Sequence, residues 1–541
     1  MEVHAALAHE LARHGADTMF GVTGEANVFL ADRFAGDEHG RYVAAASEMG
    51  AVVMAKGYAA VSGRLGVATV THGPGLTNAV TALVDGVRES APIVLVAGDT
   101  AAEDTGNLQN IDQRQIVLAS GAGFEQVRAP STVSQDVAAA CRRALTERRP
   151  IVLNVPADFM FRECGLDEQL TVAEPSPASG PDPGAVEKAV GVIAGARRPI
   201  VLAGRGATAP AARSALLALA EKIGAPLATT LMGKDLFRGE EFDLGIFGTL
   251  SHPVAAEAIR LSDCIVAFGA SLNGWTTARG AYLEGKRVVQ CDMDQCRLGA
   301  HARIDVGVAG DAAVTARAMV SLLIEAGLPP TGFRSGHLRT RLSELTDAAG
   351  GRAADAAGPV GLGDFLDALD GAVPPDRIVV LDSGRFVFQA FTRLHVEEPA
   401  WFVPTVGFGS IGLGMGHAVG AACAGTGRPV LLVAGDGGFM LGGLAEFNTA
   451  VRYGLDVIVA ICNDGSYGAE EAFLRARGVD AGIARFRWPK FAAVAAALGG
   501  TGISVDGRED LHGLPAAIAA RRGPLLIEVR LDPATVPGFE H

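Results

Sequence analysis

An aspartate and an asparagine, each predicted to follow a buried strand, are the residues of this chain best suited to chemistry. Asp436 lies in the run Gly435-Asp436-Gly437-Gly438, and the asparagine is Asn463. Mg²⁺ takes a few oxygen ligands from protein and completes its octahedron with phosphate oxygens and water. Glycines let backbone N–H groups approach a phosphate, and a helix N-terminus attracts anions. The pattern predicts a metal and diphosphate site, although Asp436 could instead be a helix cap in a glycine-rich turn.

The segments around these two residues predict how they come together. Residues 428–434 and 456–462 are short apolar runs, typical of buried strands in a parallel sheet. Between them, apolar residues recur at helical spacing over 440–453. A right-handed strand–helix–strand crossover makes the two strands parallel and brings their carboxyl ends to one edge of the sheet. We therefore expect Asp436 and Asn463 to face the same volume.

The full motif, Gly-Asp-Gly followed by 25 residues (438–462) and then Asn463, resembles the signature of thiamine diphosphate enzymes. The resemblance implies thiamine diphosphate and Mg²⁺ as cofactors, with Asp436, Asn463 and the carbonyl of Gly465 as metal ligands. It also implies that the cofactor contacts a set of residues in the last third of the chain, namely Gly384, Arg385, Ser410, Ile411, Gly435, Gly437, Gly438, Tyr467 and Gly468. Arg385 could pair with phosphate or point to water.

A second match lies in the first third of the chain. Glu48 follows a predicted strand at 41–46 and opens a predicted helix. In the family, a glutamate at this place binds the aminopyrimidine ring and favours the tautomer that removes a proton from the thiazolium carbon. An ordinary glutamate in the first turn of a helix is the alternative. Pro74 and Asn78 belong to a segment, 71–78, that resembles the TxGPGxxN element of acetolactate synthase-like members. The resemblance implies that both residues contact the cofactor or shape its pocket.

The glycine-rich loop 407–416 supports two interpretations. By resemblance, Ile411 is the bulky apolar residue that wedges the cofactor into a bent shape, unless it is ordinary core packing. The same loop matches the dinucleotide fingerprint G-x-G-x-x-G, which would indicate a nicotinamide-dependent dehydrogenase. Pro404 in the preceding segment argues against the central strand that such a fingerprint requires.

Length and composition predict the organisation of the chain. Its 541 residues are too many for one core. The resemblance implies an α/β fold of three doubly wound parallel-sheet domains: a pyrimidine-binding domain at 1–165, a central domain at 185–328 and a diphosphate- and Mg-binding domain at 355–541. Segments 166–184 and 348–361 have the composition of linkers. The net charge of −14 argues against a nucleic-acid surface.

The chain shows no secretory signal and no apolar run near 18 residues. Its seven cysteines are odd in number and scattered. These features predict a cytoplasmic protein without a membrane partner. In the central domain, the partial glycine loop at 204–206 and the segment 271–275 favour the absence of FAD, which some relatives bind there.

The resemblance is to the acetolactate synthase, pyruvate oxidase and benzoylformate decarboxylase-like group, and it implies decarboxylation of a 2-oxo acid. Carbon dioxide leaves because the thiazolium ring accepts the electron pair, and the product is either protonated to an aldehyde or joined to a second carbonyl. A lyase acting on 2-hydroxyacyl thioesters of coenzyme A is the alternative. The family also implies a homodimer or homotetramer with each active site between subunits.

Three residues are candidates for contact with the substrate, and two of them have a structural alternative. Glu25 could hydrogen-bond substrate or start a helix, and His72 could donate a proton or be a buried structural histidine. Gln109 matches the family's active-site glutamine better than Gln113 does. Beyond the metal loop, Glu470 and Glu471 are predicted to be a solvated helix start rather than substrate contacts.

Overall fold

The structure is a computed structural model that describes residues 1–167, 180–350, 359–534 and Val536. The described residues fall into two units, one drawn from Met1–Pro175, Ala356–Leu394 and Val403–His541, the other from Ser176–Asp355 and His395–Phe402. Most of the predicted linker 166–184 and of the predicted linker 348–361 lies outside the described residues. Each unit is built of parallel sheets covered by helices, as predicted.

The first sheet has six parallel strands in the order β2-β1-β3-β4-β6-β5. The strands are β1 Thr18–Gly21, β2 Arg41–Ala44, β3 Gly66–Val70, β4 Ile93–Asp99, β5 Gly123–Gln126 and β6 Ile151–Pro156. The helices are α1 Val3–Arg13, α2 Val28–Gly36, α3 Glu48–Ser62, α4 Pro74–Thr77, α5 Val80–Arg88, α6 Gln113–Ala119 and α7 Val133–Glu147. The central strands are buried almost throughout, because helices cover both faces of the sheet.

The second unit holds a six-stranded parallel sheet in the order β12-β11-β10-β7-β8-β9. Its strands are β7 Pro199–Ala203, β8 Leu227–Thr229, β9 Asp243–Ile246, β10 Cys264–Phe268, β11 Arg287–Asp292 and β12 Val306–Ala309. Its helices are α8 Pro183–Ala194, α9 Pro210–Ile223, α10 Pro253–Leu261, α11 Ala312–Glu325 and α12 Gly336–Gly350. Leu338 and Leu342 of α12 join the core of this unit, which therefore continues past the boundary expected at 328.

The third sheet has the order β14-β13-β15-β16-β18-β17. Its strands are β13 Ile378–Leu381, β14 Phe402–Pro404, β15 Val430–Gly435, β16 Val457–Asn463, β17 Thr501–Val505 and β18 Leu525–Arg530. Its helices are α13 Leu362–Ala372, α14 Val387–Arg393, α15 Gly414–Cys423, α16 Asp436–Gly438, α17 Leu444–Arg452, α18 Gly468–Ala476, α19 Phe491–Ala497 and α20 Leu514–Ala520. Pro404 ends the edge strand β14, a position where its missing N–H is tolerated.

The predicted helix at 440–453 exists but begins earlier. Asp436 is its first residue, and a π-helical turn, Phe439–Gly443, joins α16 to α17. Gly438 has ordinary helical backbone angles, so the glycines extend the helix back to the strand instead of forming a separate loop. The negative charge of Asp436 thus lies at the positive end of the helix dipole.

The first and third sheets belong to one unit, and helices α3 and α15 pack against each other within it. A Cβ on Gly420 of α15 would collide with the carbonyl oxygen of Met54, and one on Gly57 of α3 would collide with that of His417. Glycine at both positions lets the two backbones approach closely. In the described part of the chain, none of the helices combines the length and the apolar character that crossing a membrane requires.

Candidate active site

Asp436 and Asn463 converge at the edge of two adjacent strands. Strands β15 and β16 pair in parallel, with Gly435 opposite Cys462, so Asp436 and Asn463 leave the sheet side by side. The backbone N–H of Gly465 donates to Asp436 Oδ2 at 2.8 Å and to Asn463 Oδ1 at 3.1 Å. Two oxygens that share one donor are close enough to bind one ion. The predicted shared volume is confirmed.

The Gly465 carbonyl, the third expected metal ligand, is already engaged on one side. It accepts a hydrogen bond from Phe486 N at 2.7 Å, and a second lone pair remains for an ion. No group of three or more His, Cys, Asp or Glu side chains in the described residues is arranged to hold a metal. The oxygens that the family resemblance implies as ligands here are one carboxylate, one amide and one carbonyl.

Glu528 fixes the orientation of the Asn463 amide. Asn463 Nδ2 donates to Glu528 Oε1 at 2.7 Å, which turns Oδ1 towards Asp436. Glu528 is only 1% exposed and lies on β18, next to β16. Sequence reasoning missed Glu528, although an acid inside the apolar run 525–529 was a signal. A carboxylate that orients a ligand amide in this way tunes metal affinity.

The charges around Asp436 favour a cation. Burial and, to a smaller extent, the nearby Asp464 carboxylate raise the pKa of Asp436 to about 7, against the opposing effect of backbone N–H groups. Asp464 itself pairs with Arg385 at 2.8 Å. The Arg385 side chain is 7% exposed, so the expectation that it could point to water is wrong. A cation beside Asp436 would offset the unfavourable burial of its charge.

The glycines and an unused donor fit a diphosphate. A Cβ on Gly437 would collide with the Tyr467 ring, and one on Gly468 would lie 2.8 Å from Arg385 Nε. Arg385 Nε is buried and has no hydrogen-bond partner among the described residues. Gly384 has a φ of +155°, an angle that other residues rarely adopt. The residues present therefore fit thiamine diphosphate and Mg²⁺.

The loop that carries Ile411 is held at its carboxyl end by Asp382. Gly412 N donates to Asp382 Oδ2 at 2.9 Å, and Thr405 Oγ1 donates to Asp382 Oδ1 at 3.3 Å. Asp382 is 1% exposed, and burial raises its pKa to about 6. The Cβ of Ile411 lies 3.6 Å from the position that a Cβ on Gly438 would take. Ile411 thus lies beside the first turn of the helix that begins at Asp436, and its role as a wedge stays a prediction.

The other end of this loop is held by the first domain. Gly407 N donates to Glu89 Oε1 at 2.9 Å, and Phe408 N donates to Asp85 Oδ1 at 3.2 Å. Lys56 pairs with the remaining oxygens of both carboxylates, and its side chain is 3% exposed. Sequence reasoning missed this buried cluster.

Glu48 and Asn78 come together from separate segments. Ser47 caps α3 by accepting from Gly50 N at 3.0 Å, and Glu48 is the first helical residue. Asn78 Nδ2 donates to Glu48 Oε2 at 3.2 Å. Pro74, four residues before Asn78, begins the short helix α4. The structure therefore groups the first-domain residues that resemble cofactor contacts.

The substrate-side candidates differ in their surroundings. His72 is 7% exposed, and its Nδ1 has no partner among the described residues. Gln109 lies against Gly73, whose Cβ would collide with the Gln109 carbonyl oxygen. Gln113 instead binds Gly73 N at 2.9 Å and Asn154 at 2.6 Å, so it is structural. Glu25 is exposed and precedes α2 by three residues.

The expectation that Glu471 is solvated is wrong. Its side chain is 1% exposed and pairs with Arg485 at 2.8 Å and with Arg475 at 2.9 Å. Glu470, in contrast, is exposed. Glu471 therefore holds the segment around Arg485 against the start of α18.

Family models match the three parts of the chain in order. Residues 1–116 match the N-terminal TPP binding domain of thiamine pyrophosphate enzymes, 186–319 match the central domain, and 382–529 match the C-terminal TPP binding domain. The predicted nicotinamide-dependent alternative is wrong, because its fingerprint lies inside the C-terminal match.

Individual relatives are similar over nearly their whole length. An acetolactate synthase large subunit of Parasynechococcus marenigrum is 29% identical over 97% of this chain and 87% of the relative. A sulfoacetaldehyde acetyltransferase of Alcaligenes xylosoxydans is 27% identical over 92% and 87%. A Pseudomonas aeruginosa protein named "Probable 2-ketoarginine decarboxylase AruI" is 28% identical over 97% and 93%. The chain belongs to the thiamine pyrophosphate-dependent enzymes and has their N-terminal, central and C-terminal domains.

Proposed function

We propose that this enzyme decarboxylates a 2-oxo acid with thiamine diphosphate and Mg²⁺, and either releases an aldehyde or joins the product to an acceptor carbonyl. The observation that carries the proposal is the convergence of Asp436 Oδ2 and Asn463 Oδ1 on the backbone N–H of Gly465. When bound, the cofactor supplies a carbon nucleophile and accepts the electron pair that carbon dioxide leaves behind.

In this proposal the third domain holds the charged end of the cofactor. Asp436, Asn463 and the Gly465 carbonyl bind Mg²⁺, and Glu528 keeps the Asn463 oxygen directed at the ion. Arg385 Nε and the N–H groups of the glycine turn donate to phosphate oxygens. These contacts would neutralise the diphosphate and so orient the reactive end of the cofactor. The residues that make them take no part in forming or breaking bonds.

Glu48 performs the proton chemistry at the opposite end. With the cofactor bound, the Glu48 carboxyl would share a proton with the pyrimidine ring, and Asn78 Nδ2 donates a hydrogen bond to one of its oxygens. His72 is proposed to exchange a proton with the substrate, because its Nδ1 is buried without a partner among the described residues. Gln109, beside Gly73, is proposed to contact the reacting carbonyl, and Glu25 the outer part of the substrate.

We also propose a homodimer or homotetramer, in which Glu48 of one subunit acts on a cofactor held by Asp436 of another. The support is the family resemblance together with a first and third domain that both carry cofactor-binding matches.

A panel of 2-oxo acids tests the proposal. The protein is incubated with thiamine diphosphate and Mg²⁺, with and without acceptor aldehydes or 2-oxo acids, and carbon dioxide and products are followed by mass spectrometry. We expect at least one acid to release carbon dioxide in a cofactor-dependent way. The Glu48→Gln variant should bind cofactor yet lose nearly all turnover, because glutamine has the shape of glutamate but cannot share a proton with the pyrimidine ring. Full turnover in that variant would refute the role of Glu48.

A further inference from the structure

Glu446 of the third domain accepts hydrogen bonds from the two residues that precede the helix beginning at Glu48. Its Oε1 accepts hydrogen bonds from Ser47 N at 3.1 Å and from Ser47 Oγ at 3.2 Å, and its Oε2 accepts from Ala46 N at 3.1 Å. Thr449 Oγ1 donates to Oε2 at 2.9 Å. Glu446 is 1% exposed, so these bonds form in a water-poor environment where each counts for more than at the surface.

The neighbouring residues leave room for this carboxylate. A Cβ on Gly50, in the first turn of α3, would collide with Glu446 Oε1. Glu446 also lies at the positive end of α3, where the helix dipole favours a negative charge. Burial raises the pKa of Glu446, while the N–H groups of Ala46 and Ser47 oppose that shift. The site is therefore shaped for a carboxylate whose two oxygens both accept hydrogen bonds.

We propose that Glu446 is a positioning residue that sets the direction of the Glu48 side chain. This inference rests on the proposed role of Glu48. The residue before Glu48 is held at both its N–H and its hydroxyl, so the first turn of α3 cannot shift without breaking bonds to Glu446. A displacement of about 1 Å at a proton-transferring group can cost roughly 100-fold in rate.

A Glu446→Gln variant isolates this contribution, because the amide fills the same volume but turns one acceptor into a donor. Whichever way the amide lies, its NH₂ group faces a backbone N–H of Ala46 or Ser47. The measurement is hydrogen–deuterium exchange at the thiazolium carbon of bound thiamine diphosphate, by NMR after acid quench, alongside cofactor affinity and thermal unfolding. We expect exchange at least about ten-fold slower, with cofactor affinity little changed.

Tyr453→Phe provides the matched control. Tyr453 Oη accepts from Ala44 N at 2.7 Å and donates to the Tyr42 carbonyl oxygen at 3.4 Å, so the variant removes two bonds between the same two segments, farther from Glu48. We expect the rate of hydrogen exchange at the thiazolium carbon in this variant to lie within about twofold of that in the unsubstituted protein. In Gly50→Ala we expect the same slowing as in Glu446→Gln. Gly50→Ala also serves if Glu446→Gln does not fold.

A Glu48→Gln background separates positioning from general stability. If Glu446 acts through Glu48, adding Glu446→Gln to Glu48→Gln slows exchange no further. Equal slowing in Tyr453→Phe, or an undiminished effect in the Glu48→Gln background, would overturn the inference. Normal exchange in Glu446→Gln would overturn it as well. If the unsubstituted protein shows no cofactor-dependent exchange, the proposed function itself fails, and this inference with it.

Discussion

At the scale of single residues, Asp436 carries the charged end of the proposed site. Asp436→Ala removes a ligand oxygen and leaves Gly465 N without its closer acceptor. We expect thiamine diphosphate affinity to fall by more than about 100-fold, with little rescue by added Mg²⁺. Calorimetric titration of the cofactor at several Mg²⁺ concentrations measures this.

Asp456→Ala is the control for that titration. Asp456 lies just before the first residue of β16, at the end of the strand away from Asn463, and pairs with Arg521 at the surface. This variant should bind the cofactor normally. A normal titration in Asp436→Ala would contradict the metal assignment.

His417 gives the molecule a specific dependence on pH. It is fully buried in α15, and burial, with Lys56 nearby, lowers its pKa to about 3, against the opposing charge of Glu89. An unfolded histidine takes up a proton near pH 6.5, whereas the folded one does not until about pH 3. The folded state therefore loses stability as pH falls through this window.

His417→Leu should flatten that dependence. Between pH 6.5 and 4, the free energy of unfolding of the unsubstituted protein should fall more steeply than that of the variant, by up to about 1.4 kcal/mol per pH unit. Urea unfolding at several pH values measures both slopes. Parallel curves would show that His417 is not buried in its neutral form.

At the scale of elements, the contact between α3 and α15 depends on glycine. Gly420→Ala would drive a methyl group into the carbonyl oxygen of Met54. We expect destabilisation of roughly 1–3 kcal/mol. Gly191→Ala, in the open face of α8 with nothing within 4 Å of its Cβ, should instead stabilise by up to about 1 kcal/mol. Thermal unfolding of the two variants should shift in opposite directions, and a stabilised Gly420→Ala would be inconsistent with this packing.

The elements show which features the sequence could predict. Strands β15 and β16 and the convergence of Asp436 with Asn463 followed from continuous apolar runs and the crossover rule. The roles of Asp382, Glu446 and Glu528 were not predicted, because a single acidic residue has no spacing pattern in the sequence until its partners are known. Ala46 and Glu446 are 400 residues apart in sequence, and only the folded chain brings them together. The start of the helix at Asp436 was missed because glycine is a poor indicator of helix.

At the scale of the whole molecule, the proposed site between subunits makes a prediction about mixtures. If Glu48 and Asp436 of different subunits share a cofactor, a dimer of one Glu48→Gln chain and one Asp436→Ala chain has one doubly defective site and one intact site. Random pairing should then restore about a quarter of full activity in the unseparated mixture, and the isolated mixed dimer should have about half. Co-expression of differently tagged chains, with tandem purification, measures the activity of the mixed dimer.

The opposite arrangement gives a different result. If one chain supplied both residues to each site, every site in the mixture would keep one defect and no activity would return. Each variant expressed alone supplies the baseline for the comparison.

The π-helical turn Phe439–Gly443 lies between the two functions of one helix, with Asp436 at its start and Glu446 beyond it. Such a turn accommodates one extra residue, and each residue rotates an α-helix by about 100°. If the chain were one residue shorter here, either Asp436 would turn away from the proposed metal site or Glu446 would turn away from Ser47. The length of this segment is thus a constraint that couples the proposed metal site at one end of the helix to the position of Glu48 at the other.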